Sequence, residues 1–116
     1  MIDFFKTLMN GTQNDTSTYQ NIAPAQAREM MKELGKNAYE VIDVRTEEEF
    51  RAGHVNGAKN INLFDPYFSD KIAKLDTAKT YFLICRSGNR SASACSIMAK
   101  SGHQQLYNIA GGMMSW

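Results

Sequence analysis

Residues 80–91, with the sequence TYFLICRSGNRS, join an apolar run to a polar turn that contains a glycine. The run 80–85 has the length and the aromatic and β-branched content of a buried strand. Residues 91–100 follow as a segment rich in small side chains and predict a helix. A strand that passes through a short turn into a helix is the repeating unit of parallel α/β sheets.

The segments on either side continue this alternation of strands and helices. Extended pieces are predicted at residues 19–22, 39–44, 58–63 and 106–109. Helices are predicted from Pro24 to a stop at Gly35, after a capping box formed by Thr46 and Glu49, and over residues 64–75. We therefore expect an α/β fold with a mostly parallel central sheet that is flanked by helices.

The composition is that of one ordinary globular domain. The chain has 116 residues, of which 43% are hydrophobic and 22% are charged, and its formal net charge is +1. A length of this order allows one core but not two. The near-neutral charge argues against a protein dedicated to nucleic acid or to a membrane surface, since such proteins need a basic field.

The N-terminal part of the chain differs from the rest. Residues 10–18 (NGTQNDTST) are polar and lack apolar periodicity, which predicts a linker. Residues 1–9 lack the positive start and the apolar stretch of a signal peptide, and no segment of the chain reaches the roughly 20 apolar residues of a membrane span. We expect a tail and linker at residues 1–18 and one domain at residues 19–116. Within the tail, residues 1–9 are expected to form a short helical turn that caps the domain or frays, with a weak membrane or partner anchor as the alternative.

Cys85 stands at the carboxyl end of the predicted strand and at the mouth of the following helix. Ligands of open α/β sheets bind beyond the carboxyl ends of the strands. Unpaired backbone N–H groups of the turn and the helix start favour an anion there, and Arg86 and Arg90 add positive charge. Such surroundings lower the pKa of a cysteine from about 8.5 to about 3.5–7.5. We therefore predict that Cys85 is a thiolate nucleophile at neutral pH.

The other residues of the turn fit an anion-binding cradle. Gly88 allows the chain to curl so that successive N–H groups converge. Ser87, Asn89 and Ser91 are able to donate further hydrogen bonds. The alternative is a half-buried cysteine with a structural role in an ordinary strand-to-helix turn. A cysteine without such neighbours would favour this alternative, because cysteine is often buried as a small hydrophobic residue. The glycine and the two arginines close to Cys85 favour the functional interpretation.

The loop CRSGNRS (residues 85–91) resembles the active-site loop of the rhodanese family. Further segments resemble that family in the same order: VIDVR (41–45), EF (49–50), GHVNGAKNI (53–61) and IAGGMMSW (109–116). The resemblance covers residues 19–116. It implies the three-layer rhodanese-like α/β fold, with a final helix that is missing or very short after the Gly-Gly pair.

The resemblance also implies an activity, that of a sulfurtransferase. Cys85 would take a sulfane sulfur from a donor such as thiosulfate or a persulfide and hold it as a persulfide. A nucleophilic acceptor would then remove it: a cellular thiol, cyanide in assays, or a sulfur-accepting protein. Covalent catalysis of this kind needs no metal or organic cofactor. The alternative is a non-catalytic or partner-dependent persulfide carrier, which turnover with small donors would distinguish from an enzyme.

Loop length separates this family from the related cell-cycle phosphatases. Those enzymes place five residues between their cysteine and arginine, whereas four residues separate Cys85 from Arg90. The shorter loop is expected to form a tighter bowl, which suits a single sulfur atom better than a phosphate. The loop also lacks an acidic residue to protonate a leaving alkoxide. A cysteine phosphatase is therefore the less favoured enzyme.

Asp43 and Arg45 end a neighbouring predicted strand, on the same edge of the sheet as Cys85. In a supporting role, Asp43 would pair with Arg90 or brace the loop, and Arg45 would draw in an anionic donor. The plainer interpretation, which we favour, is a structural ion pair in which Arg45 meets Glu49.

The remaining cysteine and the histidines are interpreted structurally. Cys95 falls on a helix face lined by alanines and is expected to pack in the core, with a resolving thiol as the alternative. His54 is expected in a structural turn and His103 in a solvated connection. The spacing of these residues lacks a short ligand pair, so no metal site is predicted. Two cysteines are too few for a disulfide-stapled secreted domain, which favours a reducing, cytoplasmic compartment.

Overall fold

The computed structural model describes residues 19–116, in which five strands form one sheet. The strands are β1 (Gln20–Ile22), β2 (Tyr39–Asp43), β3 (Lys59–Asn60), β4 (Thr80–Ile84) and β5 (Leu106–Ile109). Their order across the sheet is β1-β5-β4-β2-β3, and each neighbouring pair is parallel. The predicted parallel α/β sheet is confirmed. The tail predicted at residues 1–18 lies outside the described residues.

Helices cover both faces of this sheet. They are α1 (Pro24–Leu34), α2 (Glu47–Arg51), α3 (Phe68–Ala73), α4 (Asn89–Lys100) and α5 (Gly112–Ser115). On one face, α3 and α4 contribute Ile72 and Met98 to a buried cluster with Tyr81 of β4. On the other face, α1 contributes Ala27 and Met30 to a second buried cluster. The result is a three-layer arrangement with the sheet between two layers of helices.

Local sequence signals account for the ends of two helices. Pro24 occupies the first turn of α1, where its missing N–H leaves no hydrogen bond unmade, and Gly35 ends the helix with φ of 83°. At the start of α2, the Thr46 side chain accepts a hydrogen bond from the Glu49 N–H, and the Glu49 side chain accepts one from the Thr46 N–H. The predicted capping box is therefore confirmed.

Two predicted elements are shorter in the structure by several residues. The strand predicted at residues 58–63 is reduced to β3, which within residues 19–116 pairs with β2 alone and forms an edge of the sheet. The helix predicted at residues 64–75 begins only at Phe68. Asp65 accepts a hydrogen bond from the Tyr67 N–H over 2.8 Å, and this side-chain turn keeps the preceding segment out of the helix.

The last helix, α5, is four residues long, in line with the expectation of a very short one. Its Met113 N–H donates to the Cys85 carbonyl over 2.8 Å, and its Met114 N–H donates to the Arg86 carbonyl over 3.1 Å. The C-terminal segment therefore braces the turn that follows β4. None of the helices in residues 19–116 combines the length and the apolar character that crossing a membrane requires.

Candidate active site

The turn between β4 and α4 begins with Cys85 at the carboxyl edge of the sheet. β4 lies between β5 and β2, so the turn is flanked by the ends of two other strands. The helix α4 starts at Asn89, only four residues after Cys85. The structure therefore places Cys85 between the end of a buried strand and the start of a helix, where open α/β sheets bind ligands.

The Cys85 side chain is enclosed by its own turn. Only 1% of the residue is exposed. The Gly88 N–H donates a hydrogen bond to Sγ over 3.1 Å, and the Ser91 Oγ lies 3.3 Å from the same sulfur. The turn thus curls around the sulfur atom and places the Gly88 N–H and the Ser91 hydroxyl group against it.

The pKa of the Cys85 thiol is the balance of two opposing effects. Burial raises this pKa, because a buried thiolate loses its hydration. Hydrogen bonds from the Ser91 hydroxyl and from the backbone N–H groups of Ser91, Gly88 and Ser87 lower it, and together they outweigh burial. The net pKa lies below its ordinary value, so the turn favours the thiolate. These hydrogen bonds, rather than the arginine charges expected from the sequence, are the leading causes of the decrease.

Gly88 provides the curl of the turn. Its φ of 107° lies in the left-handed region, which residues with a side chain rarely adopt. The backbone also passes close to the C-terminal segment, since a Cβ at Gly88 would lie 3.3 Å from the Gly111 nitrogen. A larger residue at this position would move the N–H group that Gly88 directs at the sulfur.

The two arginines of the loop, Arg86 and Arg90, differ in their contacts. Arg90 forms a bidentate ion pair with Glu49 of α2, with distances of 2.7 and 3.0 Å. The Arg90 hydrogen bonds lower the pKa of Glu49 to about 2. Arg86 is exposed, and within residues 19–116 its side chain has no hydrogen-bond or ion-pair partner. Ser87 and Asn89 are also exposed at the surface of the turn.

Asp43 and Arg45 form a buried ion pair with each other. Arg45 Nε and Nη2 lie 2.9 and 2.8 Å from the Asp43 carboxylate, and Nη2 also donates to the Gly53 carbonyl over 2.7 Å. Arg45 is thus in a structural ion pair, but the partner expected for it, Glu49, is wrong. The pair of Asp43 with Arg90, considered as an alternative, does not form, because Arg90 binds Glu49. Asp43 and Arg45 are two residues apart in extended chain, so their side chains share a face, and the Glu49 carboxylate is directed at Arg90 instead.

The second cysteine lies in the core, as predicted. Cys95 of α4 is fully buried in the cluster that also contains Cys85. Burial raises the pKa of the Cys95 thiol, which therefore stays protonated at neutral pH. The pKa values of the two thiols thus shift in opposite directions, because hydrogen-bond donors surround the Cys85 sulfur and burial dominates at Cys95.

The two histidines have structural surroundings. The exposed His54 ring stacks on Phe50 with 3.7 Å between ring centroids, and its Nδ1 lies 2.8 Å from the Phe50 carbonyl. The expectation that His103 is solvated is wrong, because it is buried and its Nε2 donates to the Ile72 carbonyl over 2.9 Å. Within residues 19–116, no three His, Cys, Asp or Glu side chains are grouped so that they could hold a metal ion.

One contact of the turn is not apparent from the sequence. Asn108 of β5 is 3% exposed, and its Nδ2 donates to the Gly88 carbonyl over 3.1 Å. Its Oδ1 accepts a hydrogen bond from the Ser91 hydroxyl. The sequence does contain one indication of this contact, because Asn108 interrupts the apolar run of a predicted strand. A polar side chain that is buried in a sheet requires hydrogen-bond partners.

Comparisons with known proteins agree with this arrangement. The rhodanese-like domain profile matches residues 24–116. Thiosulfate sulfurtransferase GlpE of Pseudomonas aeruginosa (strain LESB58) is 33% identical over 101 residues, which cover 87% of this chain and 86% of that protein.

Two crystal structures have the same fold. A rhodanese-like domain protein of Staphylococcus aureus gives a TM-score of 0.71 at 27% identity, over 84% of this chain and 90% of that one. A rhodanese-related protein of Thermoplasma volcanium gives a TM-score of 0.71 at 33% identity, again over 84% of this chain and 90% of that one. The chain belongs to the rhodanese-like domain family and has its three-layer α/β fold.

Proposed function

We propose that this chain is a sulfurtransferase that carries sulfane sulfur as a persulfide on Cys85. The observation that carries the proposal is the enclosure of the Cys85 sulfur by the Gly88 N–H and the Ser91 hydroxyl, which lowers the pKa of the thiol. A relative named as a thiosulfate sulfurtransferase, 33% identical to this chain, supports the same reaction class.

The first step loads the sulfur. The Cys85 thiolate attacks the outer sulfur of a donor such as thiosulfate, and a new S–S bond forms. The S–S bond of thiosulfate breaks, and sulfite leaves with the electron pair. The terminal sulfur of the persulfide is also an anion, so the N–H groups of Ser87, Gly88 and Ser91 that favour the thiolate would stabilise the intermediate as well.

The second step transfers the sulfur to an acceptor. A thiolate or cyanide attacks the outer sulfur, and the Cys85 thiolate leaves. Because Cys85 is only 1% exposed, a bulky acceptor cannot readily reach Sγ itself. The persulfide places the transferable atom about 2 Å farther out, so an acceptor would reach that atom more readily than Sγ.

The three arginines near Cys85 would have different roles in this reaction. Arg86 is the loop arginine without a partner in residues 19–116, and it would attract anionic donors. Arg90 would fix the loop through Glu49, and the Asp43–Arg45 pair would support the strand end beside it. Asn89 and Ser87 at the surface of the turn would contact the donor.

The setting of the reaction follows from its chemistry. A persulfide cycle needs a reduced nucleophile, and both cysteines of the chain are free thiols. We infer a reducing, cytoplasmic compartment, with small sulfur donors and either small thiols or a sulfur-accepting protein as partners.

Turnover of thiosulfate with cyanide tests the proposal. The wild-type protein is expected to form thiocyanate, and Cys85→Ser is expected to form none because it lacks the nucleophile. Cys95→Ser serves as the matched control and should retain turnover, since Cys95 lies in the core. Equal rates for wild type and Cys85→Ser would reject the proposal. Turnover that appears only after a partner protein is added would instead favour a persulfide carrier.

A further inference from the structure

Asn108 lies beneath the cysteine turn with all of its side-chain polar groups engaged. It sits in β5, next to Asn21 of β1, which is its partner in the strand register. Its Nδ2 donates to the Gly88 carbonyl over 3.1 Å and to Asn21 Oδ1 over 2.8 Å, while its Oδ1 accepts from the Ser91 hydroxyl. Asn108 therefore joins an edge strand, the turn and the helix α4 in one hydrogen-bonded network.

The direction of each hydrogen bond in this network is determined by chemistry. The Gly88 carbonyl is only an acceptor, so the Asn108 nitrogen must face it and the Asn108 oxygen must face Ser91. The Ser91 hydroxyl then has to donate its single proton to Asn108 Oδ1.

Ser91 faces a second acceptor, the sulfur of Cys85. Its Oγ lies 3.3 Å from Sγ. When Cys85 is a thiol, the S–H donates to Ser91 Oγ and Ser91 donates to Asn108, so that every group has a partner. When Cys85 is a thiolate, the sulfur needs donors, and the Ser91 proton can turn to it only by leaving Asn108 Oδ1. Two acceptors then compete for one proton.

We propose that Asn108 is a positioning residue of this site: it holds the Ser91 hydroxyl away from the Cys85 sulfur until that sulfur becomes an anion, and so limits how readily the anion forms. The hydroxyl turns to the thiolate and returns to Asn108 when the thiol is restored. Asn108 acts through Ser91 and does not contact the reacting atoms. The inference concerns the same cysteine as the proposed sulfur transfer.

The rate of Cys85 alkylation by iodoacetamide measures the thiolate directly, and peptide mass spectrometry separates Cys85 from Cys95. Below the pKa of Cys85, Asn108→Leu should react about two- to tenfold faster than wild type, the effect of one neutral hydrogen bond. Leucine has a similar size but cannot accept the Ser91 proton. Ser91→Ala should react more slowly than wild type, because it removes a donor to the sulfur.

The double variant Ser91→Ala/Asn108→Leu distinguishes positioning from a structural role. If Asn108 acts only through the Ser91 hydroxyl, the double variant should react at the same rate as Ser91→Ala. An effect of Asn108→Leu that persists without Ser91 would overturn the proposal and indicate that Asn108 merely shapes the loop through Gly88. A slower or unchanged rate in Asn108→Leu alone would overturn it as well.

Asn21→Ala is the matched control. It removes a hydrogen bond from the other side of the Asn108 amide while leaving Ser91 and Gly88 in place, so its alkylation rate should equal that of wild type. The charged groups near the sulfur are unchanged in every variant; they are the Asp43–Arg45 pair, the Glu49–Arg90 pair and Arg86. Alkylation needs no sulfur donor, so a protein that failed to transfer sulfur would still give a clear result here.

If Asn108→Leu does not fold, NMR of the wild-type protein tests whether the Ser91 hydroxyl moves. The ¹⁵N shift of the Asn108 side-chain amide should change as Cys85 titrates, because Oδ1 loses its donor. In Ser91→Ala this change should be much smaller. Equal changes in the two proteins would contradict the movement of the hydroxyl.

Discussion

The three arginines near Cys85 differ at the scale of single residues because each has a different partner. Arg45 neutralises the buried Asp43, and Arg90 binds Glu49 across to α2. Arg86 has no such partner in residues 19–116 and extends from the exposed surface of the turn. Two of these side chains are therefore held in ion pairs, and the side chain of Arg86 is exposed to solvent.

Replacing Arg86 should weaken the binding of anionic donors. Two unit charges about 4 Å apart in water interact by about 1 kcal/mol, which corresponds to roughly a fivefold effect. Arg86→Ala is therefore expected to raise KM for thiosulfate about fivefold at low salt, and added salt should reduce the difference. Arg86→Lys keeps the charge and is the control. Equal KM values for the alanine and lysine variants would show that the charge of Arg86 is not used.

Glu49→Gln should change how stability depends on pH. Hydrogen bonds from Arg90 lower the pKa of Glu49 from its ordinary value of 4.5 to about 2. The unfolded chain therefore binds this proton more readily, so the stabilisation is fully present above 4.5 and is lost as pH falls toward about 2. The Tm of wild type should decrease more steeply across this range than that of the variant. Parallel decreases would mean that the Glu49–Arg90 pair contributes nothing to acid sensitivity.

At the scale of elements, the turn after β4 is stabilised by the short helix α5. The N–H groups of Met113 and Met114 donate hydrogen bonds to the carbonyls of Cys85 and Arg86, and these bonds fix the backbone of the turn. Gly112 makes this approach possible, because its φ is 57° and a Cβ there would collide with both carbonyl groups. The Gly-Gly pair of the sequence thus serves the geometry of a turn more than twenty residues away.

Gly112→Ala is expected to destabilise both the fold and the turn. A left-handed alanine costs about 1–2 kcal/mol, and the collision adds about 1–3 kcal/mol. Gly57→Ala is a matched control, since φ there is 84° but no atom lies within 4 Å of the added Cβ. Urea unfolding should show a larger loss for Gly112→Ala, which should also have slower sulfur transfer. Equal losses in the two variants would contradict a close contact at Gly112.

The elements that the sequence predicts best are those whose signals are local. Pro24 and Gly35 start and end α1 by their own chemistry. β4 and β5 are short runs in which every residue is buried, and most of these residues are apolar or aromatic. β3 and α3 depend on neighbours: β3 has one partner strand at the sheet edge, and α3 is delayed by the turn at Asp65. The secondary-structure propensities of these residues predict neither the edge position of β3 nor the turn before α3.

At the scale of the whole molecule, the candidate site combines a contiguous turn with distant supports. Residues 85–91 are adjacent in sequence, so the turn itself is predictable. Glu49 and Asn108 reach it only because the strand order places β2 and β5 on either side of β4. The wrong partner predicted for Arg45 has the same origin, since pairing among charged side chains at one sheet edge depends on side-chain direction.

Intact-protein mass spectrometry after brief exposure to thiosulfate detects the loading of Cys85 with sulfur. Wild type is expected to gain the mass of one sulfur atom, cyanide should remove that mass, and Cys85→Ser should show no gain. Cys95→Ser should behave as wild type does. If wild type gained no sulfur from thiosulfate, polysulfide or glutathione persulfide, or if Cys85→Ser gained the same mass, the account of Cys85 as a sulfur carrier would be contradicted.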